Sequence, residues 1–471
     1  MAGTPRNTGG NPPEEGHESV PGSPSGPMSR RNFLQFMGLG AGAIGAGGLL
    51  AACGSGGAAG GGSGSPQTAG AANGAIEKGA KLHVMRWTQF VDADRTYWEK
   101  NTKRFTQKTG VPVTVDWQAW TNIEAKAATA ARVGSGPDIF LVFYDTPQLY
   151  PSKLLDLTSL ATEVGKAHGG WFHTAELYGK SNGKWIALPL GANGSEWLYR
   201  KSWLEQAGFK QFPKTTDELL AAAKALKAHG HPIGLALGHA VGDANTWCYW
   251  LLYAFGGKLV DSNNKVAINS PETVKALDYA HQLYQNFIPG TVSWLDSNNN
   301  KAYLAGDISA TANGISIYFS ATKDHQAIAQ DTGSAPYPVG PVGKPTQLNQ
   351  FDQAMVMAYT KYPNAARAYL KFMWDKDQYL PWMTASKGYV SPPLNDYATV
   401  PFWTSKPIYT PYQYAVRDQF TDGYAGNLGH NSAQALANFT VVDMVARAAT
   451  GRQSPKDSAA QAESELKSVY A

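Results

Sequence analysis

Side chains suited to binding a hydroxyl-rich ligand follow two predicted strands. Asp145 comes directly after the apolar run 139–144, whose last residue is Tyr144. Ligand clefts of α/β proteins open at the carboxyl ends of strands, and a carboxylate forms charge-assisted hydrogen bonds with hydroxyl groups. Trp87 ends the first predicted strand, and Gln89 lies two residues beyond it. We treat these four residues as candidate ligand contacts; the alternatives are a loop cap for Asp145 and a core position for Trp87.

Two further tryptophans are candidate stacking surfaces. Trp294 and Asp296 lie in a polar loop, where an exposed tryptophan needs a reason such as packing against the apolar face of a sugar. Trp247 lies at the start of a predicted helix and could serve as a similar platform or fill the core. Most of the 14 tryptophans are expected to be core residues.

Signals of catalysis and of metal binding are weak. A glycoside hydrolase needs two carboxylates about 5–10 Å apart across the scissile bond, and no spacing of Asp and Glu requires such a pair. The ten histidines form no H-E-x-x-H motif, and His229 and His231 fall at a predicted helix end. Gly179-Lys180-Ser181 lacks the upstream glycine of a P-loop. We therefore expect no enzymatic activity, no metal and no cofactor.

Length and composition favour a two-domain globular protein. The chain of 471 residues exceeds the size at which a single core stops growing. Hydrophobic residues make up 43% and charged residues 16%, which is ordinary for a globular chain. The net charge of +4 comes without a cluster of basic residues, so a nucleic-acid partner is not expected.

Residues 1–52 resemble a Tat-type export signal that ends in a lipobox. Arg30 and Arg31 precede an uncharged stretch with small residues before Cys53. The order Leu-Ala-Ala-Cys at 50–53 implies lipidation of Cys53, whereas the many glycines disfavour the alternative of a single membrane-spanning helix. A G-x-G-x-x-G match at 40–45 has no preceding strand and is not taken as a dinucleotide site. The start residue is left open between Met1 and Met28.

A flexible linker is expected between the lipidated cysteine and the folded body. Residues 53–79 form this region, and 54–75 consist almost entirely of small and polar residues. Such a tether has a root-mean-square reach of about 25 Å. The expected location is the outer face of the cytoplasmic membrane. The second cysteine, Cys248, lies in an apolar run and is expected to be a buried free thiol.

Predicted strands and helices alternate from residue 81 onward. Strands are predicted at 81–87, 111–117 and 139–144, and a helix between the first two ends at Gly110. This order is typical of βαβ units in a mainly parallel sheet. Later helices begin at a capping box formed by Thr215 and Glu218, at Ser270-Pro271 and at Ser454-Pro455, and a further amphipathic helix covers 366–374.

Several segments, in order, resemble bacterial extracellular solute-binding proteins of the sugar-binding class, the group that includes maltose-binding protein. One departure is Thr216, which stands where the family often has tryptophan. The resemblance covers about 80–471, and the matching segments are 132–145, 183–209, 215–226, 256–279, 304–314, 362–373 and 450–466.

The resemblance implies an α/β, two-lobe periplasmic-binding-protein-like fold of type II, with hinge-linked lobes and a ligand cleft between them. It places 80–190 plus 355–400 in one lobe and 191–354 plus 401–471 in the other. Chain crossings are expected near 189–193, 349–354 and 400–405.

The resemblance also implies the function and the partners. The ligand would be a mono- or oligosaccharide, and the partners would be the permease subunits and, through them, the ATPase of an ABC importer. The chain would be a monomer. A polyamine, a peptide or a phosphodiester is the alternative ligand, and a secreted glycoside hydrolase is a more distant alternative.

The family pattern adds candidate contacts to those seen in the residues alone. Ser316 stands where an aromatic residue often follows the family's Asn-Gly turn, which leaves that stacking role to Tyr318. Asp145 falls at a family contact position, and the added candidates are Asn193, Asn313, Tyr318, Phe351, Asp352 and Asn438.

Overall fold

The computed structural model describes residues 74–88 and 90–471. The predicted signal region, Cys53, most of the linker and Gln89 lie outside these residues. The described body has two α/β lobes, each built around its own sheet. The strands are β1 Leu82–Trp87, β2 Val113–Gln118, β3 Ile139–Phe143, β4 Lys180–Ser181, β5 Lys184–Trp185, β6 Leu188–Asn193, β7 Glu196–Arg200, β8 Ala310–Asn313, β9 Thr332–Ala335 and β10 Gln350–Val356.

Helices cover the faces of both sheets. They are α1 Asp92–Thr109, α2 Ile123–Val133, α3 Thr158–Ala167, α4 His173–Gly179, α5 Lys201–Gln206, α6 Thr216–Ala228, α7 Asp243–Ala254, α8 Pro271–Tyr284, α9 Asn298–Ala305, α10 Ser316–Asp324, α11 Gln326–Asp331, α12 Pro363–Trp374, α13 Lys376–Ala385, α14 Asn395–Ala398, α15 His430–Ala437, α16 Thr440–Ala449 and α17 Pro455–Val469.

The first lobe contains a five-stranded sheet of order β2-β1-β3-β10-β6. Strands β1, β2 and β3 are parallel, as their βαβ pattern predicts. Strand β10 is antiparallel to both β3 and β6, so the sheet is mixed. β6 therefore runs in the same direction as β1, β2 and β3, and the prediction of a mainly parallel sheet holds for this lobe except at β10. β10 enters from the second lobe and therefore meets β3 from the opposite direction. All five residues of β3 are buried, because helices cover both faces.

The second lobe contains an antiparallel three-stranded sheet of order β8-β7-β9. The chain passes from the first sheet to the second between Asn193 and Glu196, and it returns between Ala335 and Gln350. A third passage lies between Tyr397, whose hydroxyl donates to Trp374 in the first lobe, and Ile408, whose carbonyl accepts from Ser334 in the second.

The predicted lobe boundaries need one correction. The family resemblance assigns residues 191–193 and 350–354 to the second lobe, whereas they belong to β6 and β10 of the first sheet. Both strands continue to the edge of the interface, since their main-chain groups pair with each other up to Asn193 and Gln350. The residues at these strand ends therefore face the space between the lobes.

Several predicted helix starts are confirmed. Thr215 and Glu218 form the capping box before α6, and the Ser270 and Ser454 hydroxyls accept main-chain N–H groups at the starts of α8 and α17. Cys248 is a buried free thiol in α7, as predicted. Within the part of the chain that the structure describes, no helix is long and apolar enough to cross a bilayer.

Candidate functional site

Tyr144 links the end of β3 to the second lobe. Its backbone is in the left-handed region, with φ of 46°, which turns the chain sharply after the strand. The main-chain N–H of Tyr144 donates to the Phe351 carbonyl at 2.6 Å, and the Gln353 side-chain amide donates to the Tyr144 carbonyl at 2.5 Å. The hydroxyl donates across the interface to the Val241 carbonyl at 3.1 Å. Strand β10 thus holds Tyr144 where it can contact both lobes.

Asp145 also contacts the second lobe. It is fully buried, and its Oδ2 atom accepts the Ser432 hydroxyl of α15 at 2.6 Å. Its carboxyl lies within hydrogen-bonding reach of the Asp422 carboxyl, which accepts the Tyr178 hydroxyl of α4 at 2.8 Å. Burial and the Asp422 charge hold the pKa of Asp145 well above its usual range, which favours the protonated form of this carboxyl.

The N-terminus of α7 faces this point from the second lobe. Asp296 accepts the main-chain N–H groups of Val241, Gly242 and Asp243 at 3.0, 2.9 and 2.8 Å. A carboxylate is favoured there because the first N–H groups of a helix have no partner within the helix. These bonds lower the pKa of Asp296, but burial outweighs them and leaves it above the usual value. The predicted contact Asp296 therefore fixes the helix end.

Asn313 ends β8 beside the same helix. Its amide donates to Asn300 at 2.6 Å and to Asp243 at 3.4 Å, while its amide oxygen accepts the Ser316 hydroxyl at 3.1 Å. Ser316, which stands where the family often has an aromatic residue, thus orients the asparagine side chain. The half-buried Tyr318 lies beyond it, near Tyr409.

Asn193, Gln350 and Asp352 lie together at the ends of β6 and β10. Gln350 is paired in register with Asn193, and its amide donates to Asp352 at 3.0 Å. All three side chains are at least nine-tenths buried. Among the described residues, Asp352 Oδ2 and both amide atoms of Asn193 have no hydrogen-bond partner. Buried polar atoms without partners are costly, so this group is suited to a ligand that supplies them.

These groups form one interlobe site: Tyr144, Asp145, Asn193, Asp243, Asp296, Asn313, Gln350, Asp352 and Asp422. Tyr144 lies near several of these groups, since the charges of Asp243, Asp296, Asp352 and Asp422 all act on its hydroxyl. Burial and these four charges raise the pKa of Tyr144, so it remains a hydrogen-bond donor.

The other predicted aromatic contacts occupy positions away from this group. Trp87 is fully buried against Trp120 and Phe143. Trp247 is buried in the second lobe, where its indole N–H donates to the Ala236 carbonyl at 2.6 Å.

Three more predicted contacts have packing or surface roles in this conformation. Phe351 stacks on Tyr178 at 4.3 Å. The half-buried Trp294 ring packs over Gly234 within the second lobe. Asn438 is exposed on the second lobe and accepts the Gln434 amide at 2.9 Å.

Sequence reasoning missed four residues of this region: Asp243, Gln350, Asp422 and Ser432. Asp243 carried a usable signal, because it is an acidic residue in the first turn of the predicted helix that also contains Trp247. Gln350 alternates with Asp352 on a strand and could have been found with it. Asp422 lies in an irregular stretch without periodicity, and no local pattern identifies it.

The sequence matches known proteins over most of this body. A profile of the family described as bacterial extracellular solute-binding protein matches residues 100–411. A probable ABC transporter-binding protein of Deinococcus radiodurans is 26% identical over 285 residues, which are 59% of this chain and 66% of the relative. The chain thus spans just under two thirds of that relative's length.

Solved structures show the same fold. The GacH receptor of Streptomyces glaucescens, determined unliganded and with acarbose, superposes with a TM-score of 0.71 at 20% identity, covering 84% of this chain and 99% of the receptor. The maltose-bound MalE3 of T. maritima superposes with a TM-score of 0.72 at 20% identity, covering 83% and 100%. The chain belongs to the bacterial extracellular solute-binding protein family, whose members bind solutes and are not enzymes.

Proposed function

We propose that the chain binds a carbohydrate at the interlobe site and delivers it to the permease of an ABC importer. The observation that carries this proposal is the group of buried polar atoms at the site that lack partners within residues 74–88 and 90–471: Asp145 Oδ1, Asp352 Oδ2 and both amide atoms of Asn193. Sugar hydroxyls both donate and accept hydrogen bonds, so one ligand can satisfy carboxylate and amide atoms together.

The contacts between the lobes support a closing mechanism. Tyr144 and Asp145 of the first lobe reach Val241 and Ser432 of the second. A ligand that touches both sides stabilises the closed arrangement by the contacts that it makes only there. The acarbose and maltose named for the two similar structures agree with a carbohydrate ligand.

Thermal unfolding of residues 54–471 against neutral mono- and oligosaccharides tests the ligand class. A sugar present at about 100 times its dissociation constant adds about 2.7 kcal/mol to the free energy of unfolding and raises the midpoint. We expect a shift with one group of sugars and no product formation. A response to peptides or phosphodiesters with silence toward every sugar would overturn the carbohydrate ligand.

Asp145→Ala tests the site itself. Removing this buried carboxyl leaves the ligand groups that it would contact without a hydrogen-bond partner, which is expected to cost about 1–3 kcal/mol of binding free energy. The matched control is Asp307→Ala, because Asp307 is an exposed aspartate of the second lobe. Titration calorimetry with the sugar found above should show loss of affinity in the first variant and none in the control. Equal affinities would remove Asp145 from the site.

The predicted anchor completes the proposal for the whole chain. Lipidation of Cys53 after Tat-type export would hold the binding body near its permease at the outer face of the cytoplasmic membrane. Mass analysis of the N-terminus from native membranes is expected to show a diacylated Cys53. An intact chain that begins upstream of Cys53 would contradict this part of the proposal.

A further inference from the structure

One end of the first lobe carries exposed basic side chains. Strands β1 and β2 begin at this end, β10 finishes beside the start of β3, and helices α1 and α2 also finish there. The interlobe site lies at the opposite end of the same sheet, where β3 and β6 finish. We call this surface the basic end, and its residues, all exposed, are Lys78, Lys81, Lys108, Arg132, Lys153 and Lys361.

Folding brings these residues together from distant parts of the chain. Lys81 and Lys361 line one open pocket of about 750 Å³ with Gly134, which closely follows Arg132 in sequence. The Lys153 carbonyl accepts the main-chain N–H three residues before Lys361, at 2.8 Å. The basic residues are therefore clustered in the structure although no cluster is visible in the sequence.

Two carboxylates at this end already have hydrogen-bond partners. Glu77, next to Lys78, accepts two main-chain N–H groups at the start of α12, at 2.8 and 3.0 Å. Asp138 accepts the His83 main-chain N–H at 2.8 Å and the Thr360 hydroxyl at 2.6 Å. Across the part of the chain that the structure describes, none of the six basic side chains forms an ion pair.

Helix ends account for only two of the six cations. Lys108 and Arg132 lie in the last turns of α1 and α2, where the helix dipole favours positive charge. The other four lie outside helices and gain no such stabilisation. Elsewhere on the same lobe an exposed lysine does find a partner, since Lys371 pairs with Glu163. The basic end thus keeps its positive charge available to an external anion.

The described chain also begins at the basic end. Gly74 and Lys108 line a groove next to the start of α12, and the Asn364 amide donates to the Ala75 carbonyl at 3.1 Å. Residues 54–73 would therefore connect the proposed lipid on Cys53 to this end of the body. A tether with the predicted reach of about 25 Å would keep the basic end close to the membrane surface.

Resting on the Cys53 anchor proposed above, we infer that the basic end binds anionic phospholipid headgroups of the membrane that carries the anchor. Headgroup phosphates accept charge-assisted hydrogen bonds from ammonium and guanidinium groups. Each basic residue near an anionic bilayer adds to the attraction, which falls off within a Debye length. A nucleic acid would match the same charge, but the tether brings a membrane to this surface.

This contact would set the orientation of the protein between rounds of transport. The interlobe site lies at the other end of the sheet, so it would point away from the bilayer and toward incoming solute. Delivery to the permease would require the body to turn over. Attraction between exposed charges and headgroups is weak and reversible, which permits that movement.

Co-sedimentation with vesicles tests the surface without the anchor. Residues 54–471 contain the whole described body and lack Cys53, so their binding reports on the surface alone. We expect binding to vesicles of equal parts phosphatidylglycerol and phosphatidylcholine, and none to phosphatidylcholine alone. Binding should disappear near 1 M salt, where the screening length is about 3 Å.

Paired charge reversals test the basic end itself. Lys81→Glu combined with Lys361→Glu should weaken binding to the anionic vesicles at least about tenfold. The matched control combines Lys224→Glu with Lys275→Glu, at exposed positions of α6 and α8 in the second lobe, and should leave vesicle binding nearly unchanged. Thermal unfolding midpoints of both variants should match that of the unaltered protein, because all four side chains are exposed.

The other outcomes contradict the inference. Equal weakening by the two pairs would show an effect of net charge, and equal binding to both kinds of vesicle would show that the headgroup charge is irrelevant. Retention of a DNA duplex without vesicle binding would assign the surface to a nucleic acid. Release from vesicles by inorganic phosphate at constant ionic strength would assign the pocket to the free anion. Sugar binding is measured separately, so its presence without vesicle binding would leave the proposed function standing.

Discussion

The Tyr144 hydroxyl of the first lobe donates to the Val241 carbonyl at the start of α7 in the second lobe, at 3.1 Å. Val241 also donates its main-chain N–H to Asp296. The tyrosine therefore contacts the loop whose N–H groups hold a buried carboxylate. This contact joins the end of β3 to the end of a helix, and each lobe would present polar groups to the proposed ligand at these two places.

Tyr144→Phe removes this bond without changing the ring. We expect ligand affinity to fall about 3- to 10-fold, since a neutral hydrogen bond contributes about 0.5–1.5 kcal/mol. The control is Tyr359→Phe, whose hydroxyl donates to Pro137 at 2.6 Å within the first lobe. Titration calorimetry should show weaker binding for the first variant alone. Equal loss in both would mean that the effect comes from general destabilisation.

Gly191→Ala is expected to destabilise the first lobe near the hinge. Gly191 has φ of 147°, and an added Cβ would lie 2.1 Å from the Ser391 carbonyl oxygen, which belongs to backbone that cannot rotate away. We expect a loss of about 3 kcal/mol or more in the free energy of unfolding.

Gly183→Ala is the matched control for that substitution. Gly183 has φ of 78°, and open space surrounds the position that an added Cβ would take. We therefore expect a loss of about 1–2 kcal/mol in the free energy of unfolding, from backbone strain alone. Urea unfolding of both variants measures the difference. Equal losses would show that the close contact with Ser391 contributes nothing.

Asp94→Asn tests a buried ion pair in the first lobe. Asp94 accepts from Arg86 at 3.0 Å and from the Trp382 indole, and the guanidinium lies 4.1 Å from the Trp98 ring centre. Neutralising the carboxylate leaves a buried cation without its partner, so we expect the free energy of unfolding to fall by about 3 kcal/mol.

The control for this pair is an exposed one. Glu99→Gln breaks the bond between Arg95 and Glu99, at 2.8 Å on the surface of α1, and should change the free energy of unfolding by less than about 0.5 kcal/mol. Denaturant titration of both variants checks the contrast. Similar losses in the free energy of unfolding for both variants would contradict the claim that the buried pair contributes more than the exposed one.

Glu124 should make stability depend on pH. Burial raises the pKa of Glu124 from 4.5 to about 7, against the opposing bond from Thr146. The folded protein therefore retains a proton that the unfolded chain loses, and stability falls as the pH rises from about 4.5 to 7. We expect this contribution to the free energy of unfolding to be about 3 kcal/mol. Urea unfolding between pH 4 and 8 measures the free energy of unfolding, which should fall less steeply with rising pH in Glu124→Gln than in the unaltered protein. An equally steep fall in the variant would contradict the role given to Glu124.

The helices and strands could be predicted from the sequence, and so could the family, because their signals come from residues that are close together in the chain. The apolar run 139–143 and the capping box at Thr215 and Glu218 are set by residues close in the chain. The reversed direction of β10 was not predictable, because it depends on how the chain returns from the second lobe. Periodicity reports which face of a strand is buried but not the direction of its neighbour.

Most of the site residues that could be predicted lie at strand ends, and Asp296 is the exception, in a loop. Asp145 and Asp352 follow or lie on strands, and both lie at the interlobe site. Asp422 meets Asp145 from 277 residues away along the chain, through an irregular segment that has no sequence signal. The tryptophans were the weakest candidates, because Trp87 and Trp247 have the same residue type whether they bind a ligand or fill a core.

Hydrogen–deuterium exchange with and without the bound carbohydrate tests most directly that the ligand lies between the lobes. We predict that the sugar slows exchange on both sides of the interface, at 143–146 and 350–353 in the first lobe and at 241–244 and 312–314 in the second. Protection confined to one lobe, or to segments away from these four, would contradict the proposed site.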